Sequence, residues 1–164
     1  MPEENIEIER KFLVKKPPDL TKFQCSSSEK YYLSRGERAE IRITRIGDYC
    51  EHERKEIVNG LLRNGIKRQI PEEQFEKFKL NCDRGLFRDN YTTSENPELS
   101  IKIYHGDDEG LVRVEVEFKN EEDVRNFVPP DWFGKEMTNT ELGRDARLID
   151  LDKEDFIKLL RSLG

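Results

Sequence analysis

The stretch NIEIERKFLV, residues 5–14, decides how this chain is read. Ile6, Ile8 and Phe12 share one parity, while Glu7, Glu9 and Lys11 share the other. A strand sends successive side chains to opposite faces, so the three charges stand in a row on one side. Such a row is either a face turned to water or a wall built to hold something.

The same alternation recurs downstream. AEIRITRIG (39–47) sets Ile41 and Ile43 against Arg42 and Thr44, and ELSIKIYHG (98–106) sets Ile101 and Ile103 against Lys102. LVRVEVEFKN (111–120) is the cleanest case, with Val112, Val114, Val116 and Phe118 opposed to Arg113, Glu115, Glu117 and Lys119. DYCEHERKEIV (48–58) carries charge on both parities and reads as an exposed or bent strand. NGIKRQI (64–70) continues the pattern after the turn residues Asn59 and Gly60. About seven strands are expected, mostly joined by hairpin-length turns such as Ile46-Gly47-Asp48 and the segment Gly106 to Gly110.

Three helices are expected beside them. Residues 71–81 begin with Pro71 in a first-turn position and place Phe75 and Phe78 on one side. Residues 120–128 open with an Asn cap followed by acids that suit the helix dipole. Residues 152–163 carry Phe156, Leu159, Leu160 and Leu163 on one stripe and stop at Gly164. A short helix fits within 140–150. Strands, helix, strands, then helices indicate an α+β fold with a mainly antiparallel sheet, and no linker or repeat divides 1–164 into more than one domain.

The chain has 164 residues, of which 39% are charged and 34% hydrophobic. A fold holding that much charge needs many solvated positions, and a closed structure with a polar interior is one way to supply them. The 29 basic and 35 acidic residues are mixed along the chain for a net charge of −6, which argues against general nucleic-acid binding. No apolar run approaches the roughly 20 residues of a membrane span. MPEENIEIER has no signal-peptide pattern, and Cys25, Cys50 and Cys82 lack paired spacing, so the expected location is cytoplasmic. His52 and His105 are isolated and read as surface residues, which argues against a His/Cys zinc site. Cys50 and Cys82 have no paired base and carry no catalytic role. Trp132 reads as a packing anchor.

Two glutamates two residues apart on one strand face lie roughly 6.5–7 Å apart and repel unless something positive sits between them. Glu7/Glu9 is one such pair and Glu115/Glu117 another. Four carboxylates from two strands suit a hard divalent cation. Lys11, Arg42, Lys55 and Arg63 lie on or near other strands, and cations beside a carboxylate-bound metal are what a polyphosphate needs. A solvated sheet face produces the same alternation; the doubling of acids on two strands favours a built site.

These residues also carry a family resemblance. Glu7-Ile8-Glu9-Arg10-Lys11 matches the ExExK signature of the CYTH domain, the triphosphate tunnel metalloenzyme superfamily. IRITRIGD resembles that family's second tunnel strand, VRVEVEF its late ExE strand, and VPPDWFGKEMT a loop of bacterial members. The resemblance implies a closed antiparallel barrel of about eight strands, a tunnel with a polar lumen, flanked by helices. It implies hydrolysis or cyclisation of triphosphate substrates with Mg2+ or Mn2+. Carried over by position, Glu7, Glu9 and Glu117 resemble metal ligands with Glu115 beside them. Glu7, Glu9 and Lys11 form the expected catalytic set, and Lys11, Arg42, Lys55, Arg63 and Arg88 resemble phosphate-binding cations.

The departures from the pattern are specific. Thr44 stands where a second arginine is usual, Gly65-Ile66-Lys67 where another acidic pair is usual, and Lys102 where an acid is usual. The late lysine usual in the family beyond the Trp-Phe-Gly loop has no clear counterpart, and Glu141 or Arg144 falls nearby. The expected function is therefore a metal-dependent triphosphatase acting on a small phosphorylated substrate, inorganic or organic triphosphate. Adenylate cyclase is less favoured, since nothing reads as a base-recognition pocket. The alternatives are a tunnel that binds a phosphorylated ligand or polyphosphate without turnover, and a plain structural sheet. Neither a nucleic acid nor a membrane is an expected partner, and a homodimer is compatible with the sequence.

Overall fold

The computed structural model describes residues 3–58, 62–95 and 97–163, with the backbone alone at 3–7, 62 and 63. Its strands are β1 (Glu3–Val14), β2 (Gln24–Arg35), β3 (Ala39–Ile46), β4 (Tyr49–Ile57), β5 (Leu62–Gln69), β6 (Leu86–Thr92), β7 (Glu98–His105), β8 (Val112–Phe118) and β9 (Phe133–Glu136). The helices are α1 (Glu72–Lys79), α2 (Glu121–Asn126), α3 (Asp145–Leu148) and α4 (Lys153–Leu163).

The strands form one antiparallel sheet in the order β5-β4-β3-β2-β6-β7-β8-β1-β9. β1 also pairs with β5, from Glu3↔Lys67 to Ile8↔Leu62, while its later residues pair with β8, from Ile8↔Phe118 to Leu13↔Arg113. The architecture is α+β, as the order of elements predicts, but among the described residues the sheet has nine strands rather than eight. β9 falls inside the segment read from sequence as a loop. It lies along the end of β1 because Arg10 grips Glu136 through two hydrogen bonds of 2.9 and 2.6 Å. The Met137 N–H then donates to the Lys11 carbonyl at 2.7 Å. β2 and β6 were not singled out by alternation. Both carry polar side chains on both parities, Ser26, Ser28 and Lys30 alternating with Ser27 and Glu29 in β2.

The apolar parities face outward and are covered by helices and loops. Phe12, Ile101, Val114, Val116 and Phe118 pack with Val124 of α2 and with Phe133. Trp132 joins that cluster, its ring edge-on to Phe133 at 4.5 Å, as expected of a packing anchor. Phe75 of α1 seals Tyr31, Ile43, Cys50 and Ile70. The exception is a third cluster on the inward parity, where Leu13, Tyr32, Leu86 and Tyr104, each two residues from a cavity-lining cation, pack against Met137, Leu142, Ala146, Leu148 and Phe156 of the C-terminal segment. Leu159, Leu160 and Leu163 flank it, so the stripe expected on α4 is the one that packs.

Local sequence sets the helix starts. The Asn120 side chain accepts from the Asp123 N–H at 2.8 Å and caps α2 as predicted. Pro71 stands at the cap position of α1 instead of its first turn, since its extended ψ of 149° lies outside the helix. Gly47 turns β3 into β4 at φ 60°, and Gly106 and Gly110 adopt φ 68° and 105° in the β7–β8 connection. The turn at Asn59-Gly60 and the stop at Gly164 lie outside the described residues. β4 carries charge on both parities because both of its faces are polar, and Cys50, Glu53 and Lys55 are buried where the sequence suggested exposure. His105 is exposed and pairs with Asp89 at 2.9 Å, whereas His52, expected on the surface, is half-buried beside Phe78.

Candidate active site

The charged parities of β1 to β8 line a cavity of about 430 Å3, a size suited to one small ligand. β1 supplies Glu9 and Lys11, β2 Lys30, β3 Arg42 and Thr44, and β4 Glu51, Glu53 and Lys55. β5 supplies Lys67, β6 Arg88, β7 Glu98 and Lys102, and β8 Arg113, Glu115 and Glu117. Asp145 reaches in from α3. The sequence-predicted residues Glu9, Lys11, Arg42, Lys55, Arg88, Glu115 and Glu117 are thus brought together. Glu7 and Arg63 pair opposite one another on the β1–β5 ladder, and their side chains lie outside the described residues.

Acids concentrate toward one end. Glu98 stands opposite Glu117, and Glu117 stands opposite Glu9, making an in-register row of three carboxylate residues across β7, β8 and β1. Like charges directly opposite on a sheet destabilise it unless a cation intervenes. Lys11 Nζ lies 3.5 Å from Glu9 Oε1. Among the described residues, no group of three or more His, Cys, Asp or Glu side chains is gathered closely enough to hold an ion.

Cations follow along the same strands, several of them paired with a carboxylate. Arg42 donates to Glu53 Oε1 at 2.9 and 2.7 Å. Burial alone would raise the Glu53 pKa, yet Arg42, Lys55 and Lys67 outweigh it and hold the group at about 2. Arg113 bonds Glu115 Oε2 at 2.7 Å and the Leu142 carbonyl at 2.9 Å, fastening the C-terminal segment to the sheet. Burial opposes ionisation of Asp145, but Lys30, Arg113 and Arg88 hold its carboxyl well below the ordinary value.

Lys67 and Lys102 both line the cavity. Lys67 lies 4.0 Å from Glu53. Next to Lys67, whose strand lacks the usual acidic pair, β4 supplies Glu51 and Glu53. Those two, with Lys30, Glu98, Arg113 and Asp145, are site residues that sequence reasoning did not assign. The inward parity of LVRVEVEF and ELSIKIYHG could have pointed to Arg113 and Glu98; the unsingled strand β2 and a four-residue helix gave no comparable signal for Lys30 and Asp145. Arg144, near the position of the missing lysine, approaches Glu40 at 3.6 Å.

No family model matches the chain. The chain is similar to an inorganic triphosphatase of Nitrosomonas europaea, 30% identical over 136 residues, covering 80% of this chain and 89% of that one. A crystal structure of an inorganic triphosphatase superposes with a TM-score of 0.65 at 27% identity, covering 87% of this chain and 93% of the other. A protein of Pyrococcus horikoshii shares the fold at 19% identity and a TM-score of 0.58, covering 73% and 84% of the two chains. With its ExExK opening strand, its late ExE strand and a relative at that identity over most of both chains, the protein belongs to the CYTH, or triphosphate tunnel metalloenzyme, superfamily.

Proposed function

We propose that this chain is a triphosphatase that hydrolyses small triphosphate-bearing substrates, inorganic triphosphate first among them, inside the charged cavity. The observation that carries the reading is the in-register row Glu98, Glu117 and Glu9 set beside a wall of Lys and Arg, in a chain 30% identical to an inorganic triphosphatase. The β1–β5 pairing supports a closed eight-stranded tunnel with β9 added outside the circuit.

The donor set fits a hard divalent cation. Glu9 and Glu117, with Glu7 and Glu115 beside them, offer oxygen donors only, which suits Mg2+ or Mn2+. When bound, such an ion would draw charge from the phosphate oxygens and acidify a coordinated water. The chain's own residues do the rest. Lys11, Arg42, Lys55 and Arg88, joined by Arg63 through its register opposite Glu7, neutralise phosphate oxygens. Glu53 and Asp145 fix Arg42 and Arg88 before substrate arrives, so little reorganisation is needed as charge develops on the leaving group. Burial strengthens each of these interactions by excluding water.

A second reading, binding without turnover, is favoured by Lys67 and Lys102 within the cavity. Phosphate release from tripolyphosphate with Mg2+ or Mn2+ separates the two. The triphosphatase reading expects turnover that falls by about a hundredfold or more in Glu7→Gln/Glu9→Gln. Thermal stabilisation by tripolyphosphate with no phosphate released would establish the second reading instead.

A further inference from the structure

Among the described residues that line the cavity, Asp145 is the one acid that does not come from the sheet. Its Oδ2 accepts from Lys30 Nζ at 2.6 Å and Arg88 Nη1 at 2.7 Å. Its Oδ1 accepts from Tyr104 Oη at 2.5 Å and Arg113 Nη2 at 3.1 Å. Three cations and a phenol converging on two oxygens is what a phosphate group would receive, yet a side chain of the same protein receives it. The residue next to Asp145, Ala146, packs with Leu142 and Leu148 against Leu13, Tyr32, Leu86 and Tyr104, so this end of the cavity is filled by apolar side chains. Lys102 is the next cation along: it stands opposite Arg113 on one side and Asn90 on the other. No hydrogen bond or ion pair engages Lys102 among the described residues.

We propose that Asp145 sets the length of phosphate chain the cavity accepts: its carboxylate takes the anion position at the closed end, and the substrate's terminal phosphate stops one position short, at Lys102. This rests on the triphosphatase reading of the cavity. A longer linear polyphosphate would have to place a further anionic group where Asp145 already holds Lys30, Arg88 and Arg113. The repulsion acts in a buried site, where it exceeds its value in water.

The test compares tripolyphosphate, tetrapolyphosphate and a longer linear polyphosphate by calorimetric titration without divalent cation, and by phosphate release with it. The wild-type protein is expected to bind tripolyphosphate about tenfold tighter than tetrapolyphosphate, although charge alone favours the longer chain. Asp145→Asn keeps the shape and removes the charge; Asp145→Ala removes both. Each is expected to shift the preference toward the longer chains, Asp145→Ala by about tenfold or more. Wild-type protein that binds longer chains as tightly as tripolyphosphate overturns the proposal without any variant. So does an unchanged preference in a variant whose circular dichroism is native. Binding with the expected length preference but no phosphate release would sink the hydrolytic reading and leave Asp145 in its role.

Discussion

Glu117 stands directly opposite Glu9 on the β1–β8 ladder, and its other neighbour across β7 is Glu98. A carboxylate with carboxylates on both flanks weakens the sheet by roughly 0.2–1 kcal/mol per like-charged pair. Glu117→Gln is therefore expected to move stability and activity in opposite directions. Urea unfolding in chelator should show it as stable as the parent or about 0.5 kcal/mol more so. Triphosphate hydrolysis should fall by about a hundredfold. A variant that is less stable and fully active would refute the link between this row and the chemistry.

Glu53 predicts an acid limit to stability. Its folded pKa of about 2 lies below the ordinary 4.5. The stabilisation is complete above about pH 4.5 and disappears as pH falls from there toward about 2, because the unfolded chain takes up the proton first. The shift corresponds to about 3 kcal/mol. Glu53→Gln removes the closer of two buried carboxylates from Arg42, leaving Glu40 at 3.7 Å, and should be less stable near neutrality, with a flatter dependence below about pH 4.5. Urea unfolding of both proteins across that range checks it; parallel curves would contradict it.

Lys102 predicts a basic limit to ligand binding. Burial and the nearby Arg88 lower its pKa, Glu115 offsets part of that, and the result is about 8. Its charge is present below that value and lost as pH rises through it. Tripolyphosphate affinity should weaken between about pH 7 and about pH 9.5. Lys102→Met should bind about tenfold more weakly near neutrality and lose that pH step. Calorimetric titration at the two pH values reads both effects, and an unaltered step in the variant would assign the titration elsewhere.

Gly143 predicts a packing limit. A Cβ there would lie 1.9 Å from the Met137 carbonyl oxygen and 2.8 Å from its carbon, so backbone would have to move. The Gly143 N–H donates to the Thr140 carbonyl at 3.1 Å, in the turn that leads to α3 and Asp145. Gly143→Ala should cost about 2 kcal/mol or more in thermal unfolding. A change under about 0.5 kcal/mol would show that the turn yields.

Membership of the superfamily was legible from short motifs, because Glu7-Ile8-Glu9-Arg10-Lys11 and VRVEVEF state the charged parity of two strands residue by residue. The cap at Asn120 and the apolar stripe from Phe156 to Leu163 located two helices, since both signals act within a few residues of the chain. β9 was not legible, because what makes Phe133–Glu136 a strand is the edge of β1 and the grip of Arg10 on Glu136.

The sequence by itself determined which side chains share a face, because parity is a property of adjacent residues and needs no partner. It could not determine which face turns inward, or that Glu98, Glu117 and Glu9 fall in one row. That depends on register between strands separated by most of the chain, as when Lys11 meets Glu115. Nor could it place Asp145 among Lys30, Arg88 and Arg113, since those contacts form only once the C-terminal segment folds back against the strand ends.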